Sequence, residues 1–263
     1  MAIVAGAPTV PDVRERVSEE EWRVRVDLAA LYRLVASHGM TDLAATHLTA
    51  RVPCGEDHFL INPYGLMFEE VTASNLVKVD PEGRVVLDTG FPVNPAGFTI
   101  HSAVHMARPD VACVAHTHTV AGMAIASIAE GILPLNQTAM LFHGAVAYHD
   151  WEGISTNLDE RERLVRDLGD AHSMILRNHG LLVAGPSIGA TWNILYLLEK
   201  TCDSQLQAMA AARAAGTPLI EPSENVQAHT REQFRGIVNS GALDRDWPTW
   251  LAALDREDES YRH

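Results

Sequence analysis

Apolar residues recur at helical spacing near the start of the chain. The stretch Ser18-Glu19-Glu20-Glu21 has the form of a capping box, in which a hydroxyl at the helix start is followed three residues later by a glutamate. The apolar side chains that follow lie three or four residues apart and share one helix face: Val24, Leu28, Leu31, Leu34 and Val35. The pattern predicts a helix that ends at His38-Gly39.

Short apolar runs separated by turn residues come next. Strands are predicted over residues 48–52, 58–62 and 84–88. The segments between and beside them carry the turn formers Gly55, Pro63-Tyr64-Gly65 and Pro81-Glu82-Gly83. Short strands separated by turns of this kind suggest an antiparallel layer.

From about residue 97 the pattern alternates between helix and strand. Helices are predicted over 97–107, 119–129, 157–169 and 188–214, and strands over 111–116, 144–148, 173–176 and 181–184. This mixed order predicts an α/β protein, built either as a three-layer α/β/α sandwich or as an α+β sandwich. Residues 1–18 are interpreted as an extension, 19–216 as the main domain, and 217–263 as a tail that can be helical and cross onto a neighbouring subunit.

Composition narrows the possible partners and the compartment. The net charge of −14 disfavours nucleic acid and anionic membrane surfaces as partners. The three cysteines are widely spaced, which argues against a disulfide framework. We find no signal-peptide pattern and no run of roughly 18 apolar residues long enough to span a membrane. A cytoplasmic location is therefore expected.

Three histidines form the most informative chemical pattern in the chain. His116 and His118 end the apolar run 111–115, and two residues apart on a strand they point to the same face. His179 follows a second apolar run, 174–176, and precedes a glycine. Three neutral imidazoles at strand ends can bind one divalent transition metal, such as Zn, Mn, Fe or Co. The alternative is that they are hydrogen-bonded structural histidines.

These motifs together resemble the class II aldolase/adducin family over roughly residues 20–215. The segments that carry the resemblance are the stretch from Ala96 to Ala103 (AGFTIHSA), Arg108-Pro109-Asp110, His116-Thr117-His118, and the stretch from Arg177 to Leu181 (RNHGL). The resemblance implies an α/β/α sandwich around a mostly antiparallel sheet, assembled as a homotetramer with metal sites near subunit interfaces. It also implies that His116, His118 and His179 bind the metal and that a small molecule is the substrate.

The chain departs from the sugar-phosphate aldolases of this family at one informative position. Those enzymes carry an acidic residue 19 positions before the first metal histidine, where it acts as metal ligand and base, and Gly97 stands there in this chain. The residues aligned with the phosphate cradle are also altered, to Pro95-Ala96 and Thr46-His47, and proline has no backbone N–H to donate. The departure disfavours a phosphorylated sugar as substrate.

The chemistry of the site points to a lyase. A divalent ion held by three imidazoles would stabilise the enolate formed when a neighbouring C–C bond breaks, in decarboxylation or in retro-aldol cleavage. Decarboxylation is slightly favoured, because retro-aldol cleavage needs a base to deprotonate an alcohol. Candidates for a replacement base or acid are His101, Tyr148 and His149, and candidates for substrate contact are His47, Tyr64 and Gly97. Tyr148 could equally be an amphipathic core residue, and Tyr64 an ordinary turn residue.

Two other functions stay open on the sequence. A three-histidine site without a carboxylate also suits a non-haem Fe(II) oxygenase acting on a hydroxyphenyl-type acid. The third possibility is a non-catalytic, adducin-like interaction module, against which the intact set of metal-binding histidines argues.

Overall fold

A computed structural model describes residues 13–43, 45–53, 57–153 and 160–263, but for residues 95–99 and 239 it describes the backbone and not the side chains. Most of the predicted N-terminal extension, the turn at Gly55 and the first residues of the helix predicted over 157–169 lie outside the described residues. The helices, in chain order, are α1 (Glu19–Ser37), α2 (Pro95–Ala107), α3 (Val120–Ala126), α4 (Ala139–Phe142), α5 (Glu160–Leu168), α6 (Ile188–Ala215), α7 (Glu224–Asn239) and α8 (Trp247–Glu257).

Eight strands form one sheet in the order β4-β3-β2-β1-β5-β8-β7-β6. Their bounds are β1 (His47–Arg51), β2 (Phe59–Ile61), β3 (Val77–Val79), β4 (Val85–Leu87), β5 (Cys113–Thr117), β6 (Ala147–His149), β7 (Ser173–Leu176) and β8 (Gly180–Gly185). Every neighbouring pair is antiparallel except β6 and β7, which are parallel.

Helices cover both faces of this sheet. Alternate residues of β5 show the division, since Cys113 and Ala115 pack in the core shared with α1 and α6, while Val114 packs with α2 and α5. The prediction of an α/β sandwich around a mostly antiparallel sheet is therefore confirmed.

Local predictions hold best where the apolar pattern is long. The hydroxyl of Ser18 accepts a hydrogen bond from the backbone N–H of Glu21, as the capping box predicts, and α1 and α6 lie close to their expected positions. The prediction missed β3 and α4, which have three and four residues. Elements of this length are too short to establish a period of their own.

The C-terminal tail is helical and packs on its own chain. The indole N–H of Trp247 donates to a carboxylate oxygen of Asp27 at 3.1 Å. Tyr261 is fully buried, and its carbonyl accepts from the N–H of Ala73 at 2.9 Å. Contact of the tail with a neighbouring subunit stays a prediction. Within the described part of the chain, the helices are all either too short or too polar to cross a bilayer.

Candidate metal centre

Three histidines converge where the central strands end. His116 lies on β5, His118 follows that strand, and His179 occupies the turn between β7 and β8. One ligand nitrogen from each ring lies within 4.8 Å of the others. The ring centroids are 4.6 to 4.8 Å apart. The structure thus brings together the three residues that the sequence proposed as metal ligands, and we call them the histidine triad.

Hydrogen bonds determine which ring nitrogen of His116 and of His118 is available to bind a metal. The Nδ1–H of His116 donates to the carbonyl oxygen of Leu181 at 2.8 Å, and the Nδ1–H of His118 donates to a carboxylate oxygen of Asp42 at 3.0 Å. Neither acceptor carries a proton to give, so in the neutral form of each ring Nε2 presents a lone pair.

These two lone pairs face each other. The Nε2 atoms of His116 and His118 lie only 2.8 Å apart. Two neutral imidazoles cannot share a hydrogen bond through a pair of lone pairs, whereas a cation between them would bind both nitrogens. A carboxylate or carbonyl behind each imidazole is also the usual support of a metal-binding histidine. The donor set therefore fits a divalent transition metal.

Burial lowers the pKa of two rings of the triad, those of His116 and His179. Desolvation, followed by the neighbouring rings His179 and His118, lowers the pKa of His116 well below its ordinary value. Desolvation, and then the charge of His118, lowers the pKa of His179 to about 4. A neutral ring at neutral pH has its lone pair free to coordinate, so metal binding need not first displace a proton.

Local backbone geometry holds His179 in place. Asn178 adopts a left-handed conformation with φ of 56°, and its N–H donates to the carbonyl of Ala126 at 3.0 Å. Gly180 follows, and a Cβ there would lie 2.3 Å from the carbonyl oxygen of Thr117. Arg177 donates to the carbonyl of Ile128 at 2.6 Å. The turn is therefore anchored to the end of α3 and pressed against the end of β5.

A row of buried polar groups extends inward from the triad. His47 is paired with His116 across β1 and β5, and its ring lies 5.1 Å from that of His101. The Thr49 hydroxyl lies 2.8 Å from Nδ1 of His101 and 2.9 Å from Nε2 of His105. His101 and His105 are both fully buried.

Burial lowers the pKa of the inner rings His47 and His101. The pKa of His47 is lowered to about 4, first by desolvation and then by the charge of His118. Desolvation also lowers the pKa of His101 well below its ordinary value. Nε2 of His101 has no hydrogen-bond partner among the described residues. His101 is thus a neutral ring separated from the triad by His47, with one nitrogen free.

The other predicted site residues are placed as follows. The hydroxyl of Tyr148 accepts from the N–H of Ile132 at 3.0 Å, and the Arg177 guanidinium stacks on its ring. The Nδ1–H of His149 donates to Asp167 at 2.8 Å. No described contact joins Tyr148 or His149 to the triad. Tyr64 is half exposed in the loop after β2.

Gly97 lies in the first turn of α2, among the residues whose side-chain positions are not described. The structure therefore gives no contact for the position at which the acidic residue is missing. Its proposed part in substrate binding rests on the sequence.

Sequence reasoning missed two residues beside the triad. Asp42 lies 76 positions from His118, and nothing in its local sequence marks it as a partner. Trp151 is 46% exposed, and its ring lies 5.0 Å from that of His179. Trp151 follows His149-Asp150, so a search of the loop after β6 could have found it.

Exposed apolar side chains occur beside the residues of the site. Leu43 follows Asp42 and is 74% exposed, and Val120 lies two residues after His118 and is 83% exposed. We call these two residues and Trp151, each of which is near a triad residue in sequence or in space, the apolar rim. Such exposure next to a polar cluster is typical of a surface that contacts a ligand or another chain.

The sheet, its two helical layers and the triad define an α/β protein with a three-histidine site suited to a divalent metal. Residues 26–206 match the family described as Class II Aldolase and Adducin N-terminal domain, and the chain belongs to this family.

Solved structures and a curated relative agree with this assignment. A crystal structure of an aldolase II superfamily protein from Pseudomonas syringae is 48% identical, with a TM-score of 0.91 over 96% of this chain and 100% of that one. An L-fuculose 1-phosphate aldolase from Glaciozyma antarctica PI12 is 32% identical, with a TM-score of 0.81 over 98% and 97% of the two chains. An adducin-related protein of Schizosaccharomyces pombe is 37% identical over 93% of this chain and 78% of its own length.

Proposed function

We propose that this protein is a metal-dependent lyase that cleaves a C–C bond next to a carbonyl or carboxylate in a non-phosphorylated hydroxy, oxo or aromatic acid. The observation that carries the proposal is the 2.8 Å separation of two imidazole Nε2 atoms, each with its Nδ1–H already donated. Membership of the family supports it, since a structural relative is named as an aldolase.

The roles of the residues follow from their contacts. His116, His118 and His179 would hold the metal, with the Leu181 carbonyl and Asp42 keeping two of the rings in the required tautomer. The bound metal would supply Lewis-acid stabilisation of negative charge on a substrate oxygen, an effect worth several kcal/mol. Among the described residues, the possible ligand cluster is made of imidazoles without a carboxylate, so the ion would keep its full charge.

Decarboxylation is favoured over retro-aldol cleavage. The imidazoles nearest the triad are those of His47 and, behind it, His101, and both are held neutral by burial. We propose that His47 contacts the substrate and that His101 is the replacement base, which exchanges a proton with the substrate through His47. A base one ring away from the reacting atoms suits a reaction that needs no alcohol deprotonation at the start.

The proposed substrate class rests on two features. Gly97 supplies no carboxylate, and Pro95 at the start of α2 offers no N–H to a phosphate. The apolar rim, with Trp151 beside His179, suits an aromatic or apolar portion of the substrate. The likeness to an L-fuculose 1-phosphate aldolase makes cleavage of a sugar phosphate the competing lyase reaction.

Two alternative functions are tested by the experiment described below. The carboxylate-free triad would also serve an Fe(II) oxygenase acting on a hydroxyphenyl-type acid. An adducin-like interaction module without catalysis is supported by the adducin-related relative. We further propose a homotetramer, by family resemblance, and a cytoplasmic location, which the free, buried Cys113 and Cys202 fit.

The deciding experiment is metal analysis of purified protein, followed by turnover screens of hydroxyaromatic and 2-oxo acids with and without oxygen. A lyase loaded with Zn, Mn or Co turns over without oxygen, whereas oxygen consumption with Fe(II) would establish the oxygenase. His118→Ala should lose metal and turnover and keep its fold, while His229→Ala, at an exposed position on α7, serves as control. Absence of stoichiometric metal from the wild type would favour the non-catalytic module.

Gly97→Glu distinguishes the two kinds of lyase. If the native substrate is a sugar phosphate, a restored carboxylate should raise retro-aldol activity. If the space beside Gly97 receives the substrate, as we propose, the variant should lose the native reaction while binding metal normally.

A further inference from the structure

A cavity of about 360 Å³ lies away from the metal centre, between α7 and the body of the domain. Its apolar wall includes Phe142, Ile194, Leu197, Phe234 and Val238. The volume is at the lower end of the range of small-molecule pockets, about 300–1,000 Å³. The cavity therefore has room for a small ligand with an apolar body.

The cavity and the triad lie at opposite ends of one strand. His172 and Ser173 line the cavity at the beginning of β7, whereas His179 follows the end of that strand. At about 3.3 Å per residue, the four residues of β7 place roughly 13 Å of strand between them. A small molecule in the cavity would not reach the metal.

One cation in the cavity wall is left without a partner. Arg231 is partly buried and lines the cavity, and its guanidinium forms no ion pair or hydrogen bond with any described residue. The other charged residues of the wall are paired or exposed. Arg235 forms an ion pair with Glu232 at 2.9 Å, and Asp170 is exposed to solvent. Arg231 is thus the cation that remains available to an anion entering from the cavity.

Backbone geometry accommodates this guanidinium. Arg231 packs against Gly144, where a Cβ would lie 2.8 Å from its Nη1 atom. Gly144 has φ of +74°, a conformation that side chains rarely adopt. The turn before β6 therefore gives Arg231 a fitted position in the wall of the cavity.

We propose that this cavity is a second binding site, for a small carboxylate with an apolar body, whose carboxylate pairs with Arg231. A guanidinium presents a pair of parallel N–H donors to a carboxylate, and a partly desolvated position strengthens that pairing. The apolar wall would take the rest of the ligand out of water.

Binding of octanoate, compared with octanol, tests the proposal by calorimetry on metal-free protein. Octanoate should bind the wild type saturably, and octanol about tenfold or more weakly, because it lacks the charge. Arg231→Ala should weaken octanoate binding by about tenfold or more, while Arg213→Ala, an exposed position on α6, should leave it unchanged. Val238→Trp, which fills the cavity, should abolish binding while circular dichroism shows the native fold.

His118→Ala separates this site from the metal centre. Octanoate should bind that variant as it binds the wild type, whether or not the proposed lyase activity is real. Loss of binding in His118→Ala would place the ligand at the triad and overturn the proposal. Equal binding by Arg231→Ala, or no saturable binding by the wild type, would also overturn it.

Discussion

The carboxylate of Asp42 accepts a hydrogen bond from Nδ1–H of His118 at 3.0 Å and thereby turns Nε2 of that ring towards His116. Asp42→Asn should weaken metal binding about 10- to 100-fold, because the amide can orient the ring without matching the charge of the carboxylate. Competition with a metallochromic chelator measures this change. Asp57→Asn, an exposed partner of Arg51, is the matched control and should bind metal normally. Unchanged affinity in Asp42→Asn would remove Asp42 from the site.

Gly180 is the point of closest approach between the β7–β8 turn and β5. Gly180→Ala places a methyl group 2.3 Å from the carbonyl oxygen of Thr117, so the turn must shift and carry His179 with it. We expect a loss of about 1–3 kcal/mol in the free energy of unfolding and weaker metal binding. Denaturant titration and metal titration measure the two effects.

Gly236 provides the control for that substitution. A Cβ at this position in α7 would meet no atom within 4 Å. Gly236→Ala should therefore stabilise the protein by about 0.5–1 kcal/mol and leave metal binding unchanged. Equal effects of the two alanines would contradict the proposed close packing at Gly180.

Trp151 should discriminate between aromatic and aliphatic ligands of the metal centre. Its half-exposed ring lies edge-on to His179, where an aromatic ligand of the metal could pack against it. Trp151→Ala should weaken binding of a hydroxyphenyl carboxylate by about 1 kcal/mol, roughly fivefold, and leave acetate binding unchanged. Trp151→Phe should restore most of the affinity for the hydroxyphenyl carboxylate. Equal losses for both ligands would point to general damage to the site.

Acid should destabilise the metal-free protein partly through His105. Desolvation, and then the charge of Arg51, lowers the pKa of this buried ring from 6.5 to about 3. Below pH 6.5 His105 binds a proton in the unfolded chain, whereas in the folded chain it binds one only as the pH nears 3. The free energy of unfolding therefore falls as the pH falls through this window.

Replacing the ring tests this cause. In His105→Phe, the decline of the free energy of unfolding between pH 6 and pH 4 should be shallower than in the wild type by up to about 1.4 kcal/mol per pH unit. Chemical denaturation at several pH values measures the slope. His229→Gln, at an exposed position, should keep the wild-type slope. An unchanged slope in His105→Phe would show that His105 does not contribute.

Part of the site could be predicted because the signal is local. His116 and His118 lie two positions apart at a strand end, which places their side chains on one face whatever the rest of the fold does. His179, between an apolar run and a glycine, is a similar local signal. The same holds for α1 and α6, whose apolar spacing and caps specify helices over many residues.

Whether the other predicted residues reach the site depends on long-range contacts. Tyr148 and His149 occupy a strand end as His116 does, but β6 is an outer strand of the sheet, and their side chains contact Ile132 and Asp167 instead of the triad. Strand periodicity assigns a residue to a face and does not say which neighbours that face will have.

The sequence by itself determined the class of fold, the long helices and the three candidate metal ligands, because periodicity and short spacings act within a few residues. Only the tertiary structure decided that Asp42 and the Leu181 carbonyl orient the rings, that His101 and His105 share Thr49 in the interior, and that Arg231 faces a cavity. Those relations join residues distant in the chain, and strand order and helix packing bring them together.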